Sequence, residues 1–499
     1  FQAEDGIRDS VASRGLGDVY KRQLRKRGNQ WELLVPVRWK DNTATIVHTY
    51  TWYPPGQRSP WPLPKRQRNH PIMTQSSILV RTALTALSLV LLPAVPAAAQ
   101  DKPPTENDFY SITTLPIPKG VVLEAGGLEL LPNGKLAASS RRGDIYLVDN
   151  PFSEPSSMKF TRYAQGLHEV LGLSWKDGWL YATQRCEVTR MKDTDNDGRA
   201  DIFETVNDDW GITGDYHEYA FGTRPDPNGD MWIVLCLTGS FSSQIDYRGW
   251  CVRVSKEGEL IPTSSGIRSP GGIGLNHLGE AFFADNQGPW NGSSSLKPLS
   301  HRSFQGHPGG FRWYDTAAAK ASMGKRPTEP KTNSRWVAER PKIPELVPSA
   351  IVFPHGILGN STAGFAYDSN GKFGPFKNQL LVNDQGFSNV TRVILEKVNG
   401  VYQGAAFPFL GGYRSGIVPL RLADDGSLFV GTTNRGWGAR GGLPFSFERT
   451  RWTGKVPFEV FDPAGASGED DSGSYTTGLG LSTIGLQRDR SGDRDVLLN

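Results

Sequence analysis

One short phrase recurs six times along this chain: an apolar run, a tight turn closed by glycine, and a second, strand-like run. The copies are Leu131-Pro-Asn-Gly-Lys-Leu-Ala137, Leu173-Ser-Trp-Lys-Asp-Gly-Trp-Leu-Tyr181, Pro225-Asp-Pro-Asn-Gly-Asp-Met-Trp-Ile-Val234, Gly274-Leu-Asn-His-Leu-Gly-Glu-Ala-Phe-Phe283, Tyr367-Asp-Ser-Asn-Gly371 with Gln379-Leu-Leu-Val382, and Leu422-Ala-Asp-Asp-Gly-Ser-Leu-Phe-Val430. Asn-Gly and Asp-Gly between β-rich runs mark hairpins, because the tight turn requires positive φ. The turn glycines, 134, 178, 229, 279, 371 and 426, lie about 44 to 55 residues apart, with one interval of about 92. A period of ~40–50 residues with four strands per unit is a propeller signature. Six copies predict an all-β, six-bladed β-propeller over about 105–460. The long interval contains a surface insertion carried on one blade, about 291–350.

Charge divides the chain more sharply than its total of +4 suggests. Residues 1–99 carry 14 Lys+Arg and 6 Asp+Glu; residues 100–499 carry 41 and 45. No concentrated basic face remains after the leader, which argues against a nucleic-acid partner. Within the leader, Met73 to Arg81 supplies a start and a positive charge, Thr82 to Leu92 an apolar run, and Pro93-Ala-Val-Pro-Ala-Ala-Ala99 a small-residue exit. This reads as a secretory signal over 73–99, cleaved near Ala99, and predicts a periplasmic or secreted protein with no transmembrane span in the mature chain. Residues 1–72 read as non-native upstream translation. Residues 461–499, which never resume the pattern, read as a flexible or aberrant tail.

Three constellations can carry chemistry. Asp193-Thr-Asp195-Asn-Asp197-Gly198-Arg199-Ala-Asp201-Ile-Phe-Glu204 fits a calcium loop position by position. Carboxylates stand at 1, 3 and 5, a sharp glycine at 6, the Arg199 carbonyl at 7, Asp201 at 9 and a bidentate Glu204 at 12. A second set gathers in loops at strand ends: Tyr216-His217-Glu218, Ile267-Arg268-Ser-Pro270, Asp285-Asn-Gln-Gly-Pro289, Gly306-His307-Pro308, Tyr413-Arg414 and Asn434-Arg-Gly-Trp437. Histidine can take a proton at working pH, and arginine can stabilise developing negative charge. The third, nucleophilic hydrolysis, has little support, since no Gly-x-Ser-x-Gly elbow occurs. Cys236 and Cys251 flank a possible hairpin and can pair as a cross-strand bridge, leaving Cys186 as a buried thiol.

His217-Glu-Tyr-Ala-Phe-Gly222 with Asp226-Pro-Asn-Gly-Asp-Met-Trp232, Arg268-Ser-Pro-Gly-Gly-Ile-Gly274 and Asp285-Asn-Gln-Gly-Pro289 resemble, in order and spacing, the soluble quinoprotein glucose/sorbosone dehydrogenases. Gly306-His-Pro308, Leu395 to Gly404 and Thr433 to Gly438 are similar to a membrane-bound-dehydrogenase-like branch in exported proteins of planctomycete-type bacteria. The resemblance implies oxidation of an aldose or polyol hydroxyl by pyrroloquinoline quinone held with Ca²⁺, and a cytochrome-type electron acceptor. It implies His217 as general base and Arg268 polarising the quinone. It also implies Gln287, Gly288, Pro289 and Arg414 as cofactor-binding, with the Gly288 and Pro289 carbonyls ligating Ca²⁺. The chain departs from the family at Asn383-Asp384-Gln385, where a cofactor-binding lysine belongs, and after Pro289, where Trp290-Asn-Gly-Ser replaces acidic residues. Two other function classes stay open: a noncatalytic carbohydrate- or partner-binding propeller, favoured by aromatics such as Trp290, Trp313 and Trp437, and a Ca²⁺-dependent lactonase.

Overall fold

The computed structural model describes the backbone of residues 23–27, 30–39 and 42–51, and residues 105–455 apart from 223 and 437. The signal segment at 73–99 and the tail at 461–499 lie outside the described residues. The chain divides into two units, 1–98 and 99–499. In the first, Gln23–Arg27, Gln30–Trp39 and Asn42–Thr51 form a three-stranded antiparallel sheet in chain order, in a region to which the sequence reading assigned no fold.

The second unit is a six-bladed β-propeller. Blade 1 runs through Ala125–Leu130, Leu136–Ser140, Ile145–Asp149 and Lys159–Ala164; blade 2 through Leu173–Lys176, Trp179–Thr183, Val188–Lys192 and Ile202–Asn207. Blade 3 holds Ala220–Gly222, Met231–Leu235, Trp250–Val254 and Leu260–Ser265; blade 4 holds Pro270–Leu275, Ala281–Asp285, Ser294–Pro298 and Ile351–Phe353. Blade 5 is Thr362–Asp368, Gln379–Asp384, Asn389–Val398 and Val401–Leu410. Blade 6 takes Ile417–Leu422, Leu428–Thr432 and Phe447–Trp452 from one end of the chain and Tyr110–Thr114 from the other, with Tyr110 opposite Trp452 and Thr114 opposite Glu448.

All six repeated turns join the first strand of a blade to its second. Their glycines all have positive φ, from +68° at Gly371 to +94° at Gly229. A side chain in that region strains the backbone, so the repeat is written in glycine. On the innermost strands the reason for glycine is crowding: a Cβ on Gly172 would lie 2.8 Å from the Gly222 carbonyl oxygen, and one on Gly272 2.7 Å from the Gly364 Cα.

Period-2 alternation packs the blades face to face. Adjacent Phe282 and Phe283 point to opposite faces of blade 4. Phe282 meets Phe365, Leu380 and Val393 of blade 5, whereas Phe283 meets Val234 and Cys251 of blade 3. Both rings are fully buried, worth about 2–3 kcal/mol each in removal from water.

The insertion begins later than expected, because Ser294–Pro298 is the third strand of blade 4. From Leu299 the chain climbs blade 3, where Ser303–Phe304 pairs in parallel with Ser264–Ser265. It then turns through a 3-10 helix, Pro308–Asp315, and a short helix, Ala317–Ser322. Cys236 and Cys251 are buried free thiols, not a bridge: the Cys236 Sγ faces the Arg268 carbonyl and Cys251 the Val252 carbonyl. Cys186 is half-buried rather than buried. Among the described residues, no helix is long and apolar enough to cross a membrane.

Candidate functional site

The six innermost strands surround a channel containing two cavities. The larger, about 330 Å³, runs toward the repeated turns and is lined by glycines 126, 127, 172, 222, 271, 272, 274 and 364 together with Glu129, Arg224 and Arg421. The smaller, about 80 Å³, opens at the other end and is lined by His217, Tyr219, Arg141, Asn286, Gln385 and Arg435 among others. Both touch Leu171, Phe221, Gly271 and Val418, an apolar waist.

His217 lies on the connection from blade 2 to blade 3, and its backbone is fixed from both sides. The Asp215 carboxylate accepts from the His217 amide at 2.9 Å and from the Gly239 amide at 3.0 Å. Buried Glu218 accepts from the Thr213 amide at 2.6 Å and from the Thr213 and Thr238 hydroxyls. Arg248, fully buried, donates to the carbonyls of Arg185 (2.7 Å), Gly211 (2.8 Å), Glu218 (2.8 Å) and Tyr219 (2.9 Å). Its burial draws its pKa down to about 10, so it stays charged at neutral pH and clamps the loop. Sequence reasoning missed Arg248, whose partners are backbone groups without any pattern of their own.

Burial holds the His217 pKa below the ordinary histidine value; Asp215 opposes that, and Arg268 and Arg185 reinforce it. The imidazole is therefore largely neutral at pH 7 and able to accept a proton. Tyr219 packs edge-on to His217 at 6.2 Å between centroids, with the Arg141 and Arg185 guanidiniums 5.3 and 5.6 Å from its own centroid. Arg141 pairs with Glu169 (Nε–Oε1 2.7 Å), and Arg435 with Glu124 (2.6 Å).

Arg268 is buried under the Asn286–Pro289 turn. Its Nη1 donates to the carbonyls of Asn286 (3.2 Å) and Gln287, and a Cβ on Gly288 would collide with its guanidinium. The Gly288 carbonyl accepts from the Asn291 amide at 3.0 Å, while Gln287 and Pro289 are exposed. A Ca²⁺ ion at this turn does not fit these residues. Arg268 holds the Asn286 and Gln287 carbonyls, the Gly288 carbonyl accepts from Asn291, and the carboxylate of Asp285 is spent on Lys297 Nζ (3.1 Å) and the Ser269 amide (2.9 Å), so the turn leaves no charged oxygen for Ca²⁺. Arg414 is exposed, with its amide on Glu448, and does not line the mouth; Arg435 does. At the departure from the family pattern, Asp384 caps the amides of Asn360, Ser361 and Phe387, and Gln385 donates to the Thr433 carbonyl at 3.2 Å.

A planar polycarboxylate such as pyrroloquinoline quinone does fit the chemistry of this end. Guanidiniums of Arg141 and Arg435 line it, and a buried donor, Arg268 Nε, has no hydrogen-bond partner within the protein. Trp313 is buried with its Nε1 on the Ser243 hydroxyl, and Trp437 lies outside the described residues; Tyr216 is an exposed aromatic packed on His217.

The Asp193 loop joins the outer two strands of blade 2 at the opposite end of that blade from His217. Carboxylate oxygens of Asp193, Asp195 and Asp197 lie within 4.8 Å of one another. Glu204 does not join them: it stands on the outer strand opposite Arg190 and pairs with its Nε at 2.7 Å. Asp201 accepts from the Thr194 amide and hydroxyl at 2.7 and 2.8 Å, bonds that hold its pKa below the carboxylate norm. The Arg199 amide donates to Asp197 at 2.7 Å. Among the described residues this is the one acidic group of metal-binding geometry, and it lies outside the channel.

No protein-family model and no curated protein matches the chain. Solved structures do. An oxidoreductase named as a glucose dehydrogenase from Thermus thermophilus is 18% identical, over 68% of this chain and 99% of its own, with a TM-score of 0.50. The pyrroloquinoline-quinone-bound aldose sugar dehydrogenase of Streptomyces coelicolor is 17% identical, over 70% and 99%, with a TM-score of 0.45. A carbohydrate-active enzyme of family AA12 from Trichoderma reesei is 12% identical, over 69% and 96%, with a TM-score of 0.49. At such identities the likeness is one of fold.

Proposed function

We propose that the His217 end of the channel oxidises a hydroxyl of an aldose or polyol with pyrroloquinoline quinone. The observation that carries this reading is His217, on a backbone clamped by Asp215 and Arg248, in a mouth lined by Arg141 and Arg435. The 80 Å³ cavity is too small for a tricyclic ligand, so Arg141 and Arg435 would hold it at the open rim. When bound, the quinone supplies a hydride acceptor for the carbinol carbon. His217 takes the hydroxyl proton onto its imidazole, held between Tyr216 (4.1 Å between centroids) and Tyr219 (6.2 Å), and Leu171, Phe221 and Val418 form the apolar floor below it. Reoxidation by a cytochrome-type acceptor, and export through the 73–99 segment, belong to the same proposal. The lactonase alternative has no supporting carboxylate cluster among the described channel residues.

Reconstituting the purified protein with pyrroloquinoline quinone and following dye reduction over a sugar and polyol panel tests the reading. Turnover should fall ~10²-fold or more in His217→Ala; unchanged turnover rejects His217 as the base, and no quinone uptake ends the dehydrogenase reading in favour of a binding propeller. We place Ca²⁺ only at Asp193, Asp195 and Asp197, with the Arg199 carbonyl, as a structural ion. Ca²⁺ should raise the unfolding temperature of the wild type and not of Asp195→Ala.

A further inference from the structure

The larger cavity is not used by that proposal, and its charges do not balance within it. Glu129, Arg224 and Arg421 are its charged lining residues, two guanidiniums on one carboxylate. The contacts are long: Glu129 Oε2 to Arg224 Nη2 is 3.3 Å, and Glu129 Oε1 to Arg421 Nη2 is 3.5 Å. The Glu129 and Arg421 side chains are 7% and 20% exposed, and the Arg421 Nε is buried without a partner. A guanidinium offers five donors, and a buried one left unmet costs stability unless something fills its place. Asp424 also acts on Arg421 but is solvent-exposed and outside the lining, so water screens it. Burial draws the Arg421 pKa down to about 10, which leaves it cationic at neutral pH. The wall above the pair is glycine backbone on several blades, leaving about 330 Å³ open at the repeated-turn end.

We infer that this end of the channel binds a small oxyanion, of phosphate or carboxylate chemistry, between Arg224 and Arg421. Two arginines from the first strand-turn regions of blades 3 and 6 converge across the axis, with a geometry suited to an oxyanion's several acceptors. Glu129 of blade 1 bridges the two guanidiniums and competes with the ligand for them. Neither arginine touches the His217 end, so the anion site stands whether or not the quinone binds.

Titration calorimetry with inorganic phosphate on the full chain, without quinone, tests it. One site per chain is expected. Arg421→Met should weaken it about tenfold or more, and Glu129→Gln, which keeps the shape and removes the competing charge, should tighten it. A heat that survives Arg421→Met and vanishes in Arg435→Met puts the anion at the His217 end and overturns the inference; so does absence of phosphate binding in the wild type. Should Arg421→Met fail to fold, Glu129→Gln still decides, because unchanged affinity there is incompatible with a ligand shared by Arg224 and Arg421.

Discussion

At the repeated-turn end of the channel the chain reverses in hairpins as short as Lys176 to Trp179, and three charged side chains face the cavity. At the His217 end the connections run from Asn207 to Ala220, Leu235 to Trp250 and Thr432 to Phe447, and Arg141, Arg185, Arg248, Arg268 and Arg435 are each tied to a carboxylate or to carbonyls. The sheets are common to both ends. One end is shaped by turn geometry repeated six times; the other by cations, Arg185, Arg248 and Arg268 of them buried, that organise loops of no fixed length. Strain in the first is local to a glycine, whereas in the second it would spread through a guanidinium to several loops at once.

The largest effect should erase the contrast. Phe282→Ala opens a cavity between blades 4 and 5 and should cost about 3–5 kcal/mol in chemical denaturation, weakening both ends together. Arg248→Met should sharpen it: carbonyls of Arg185, Gly211, Glu218 and Tyr219 lose their donor, at a cost of about 3 kcal/mol. Hydrogen exchange should then accelerate across 207–220 and stay unchanged at 131–137. If both segments loosen equally, the two ends are not independent.

Acid should also act on one end first. His307, delivered by the insertion, has a buried imidazole whose pKa is drawn down to about 4, chiefly by desolvation, with Arg268 and Lys297 adding to it and Asp285 opposing. Its Nδ1 accepts from the Gly309 amide at 3.0 Å. The unfolded chain binds this proton near ~6.5 and the folded chain only near 4, so the stability is complete above ~6.5 and is lost as pH falls toward 4. Denaturation midpoints at pH 7 and 5 should differ by about 1–2 kcal/mol in the wild type and by less in His307→Gln. The smallest change belongs to the other end: Gly134→Ala has open space for its Cβ, so positive φ alone should cost about 1 kcal/mol.

Those same positions mark what a sequence can disclose. Gly134, Gly178, Gly229, Gly279, Gly371 and Gly426 were legible because one backbone conformation admits one residue, six times over. The grouping of Asp193, Asp195 and Asp197 was legible because its members are neighbours in sequence as well as in space. Arg248 was not, since its acceptors come from two separate loops, both distant from it in sequence. Arg414 and Arg435 flank the first two strands of blade 6, and no sequence pattern separates them: Arg414 is exposed beside buried Tyr413, whose hydroxyl meets Thr450 at 2.8 Å, whereas Arg435 lines the mouth. Glu204 satisfied a linear pattern, yet β-pairing with Arg190 claimed it first.

The pairing of Tyr110–Thr114 with Phe447–Trp452 sets an order in time. The strand synthesised first has no sheet to enter until nearly the whole ring has left the ribosome. Leu123, Ala125 and Ala138 of the first blade must likewise wait for Phe429 and Phe447 of the last to cover them. Closure joins residues at the greatest separation the domain contains, which is slow and leaves an apolar face uncovered meanwhile. A nascent chain of this design is most vulnerable to aggregation just before completion, and losing Tyr110–Thr114 would prolong that moment indefinitely.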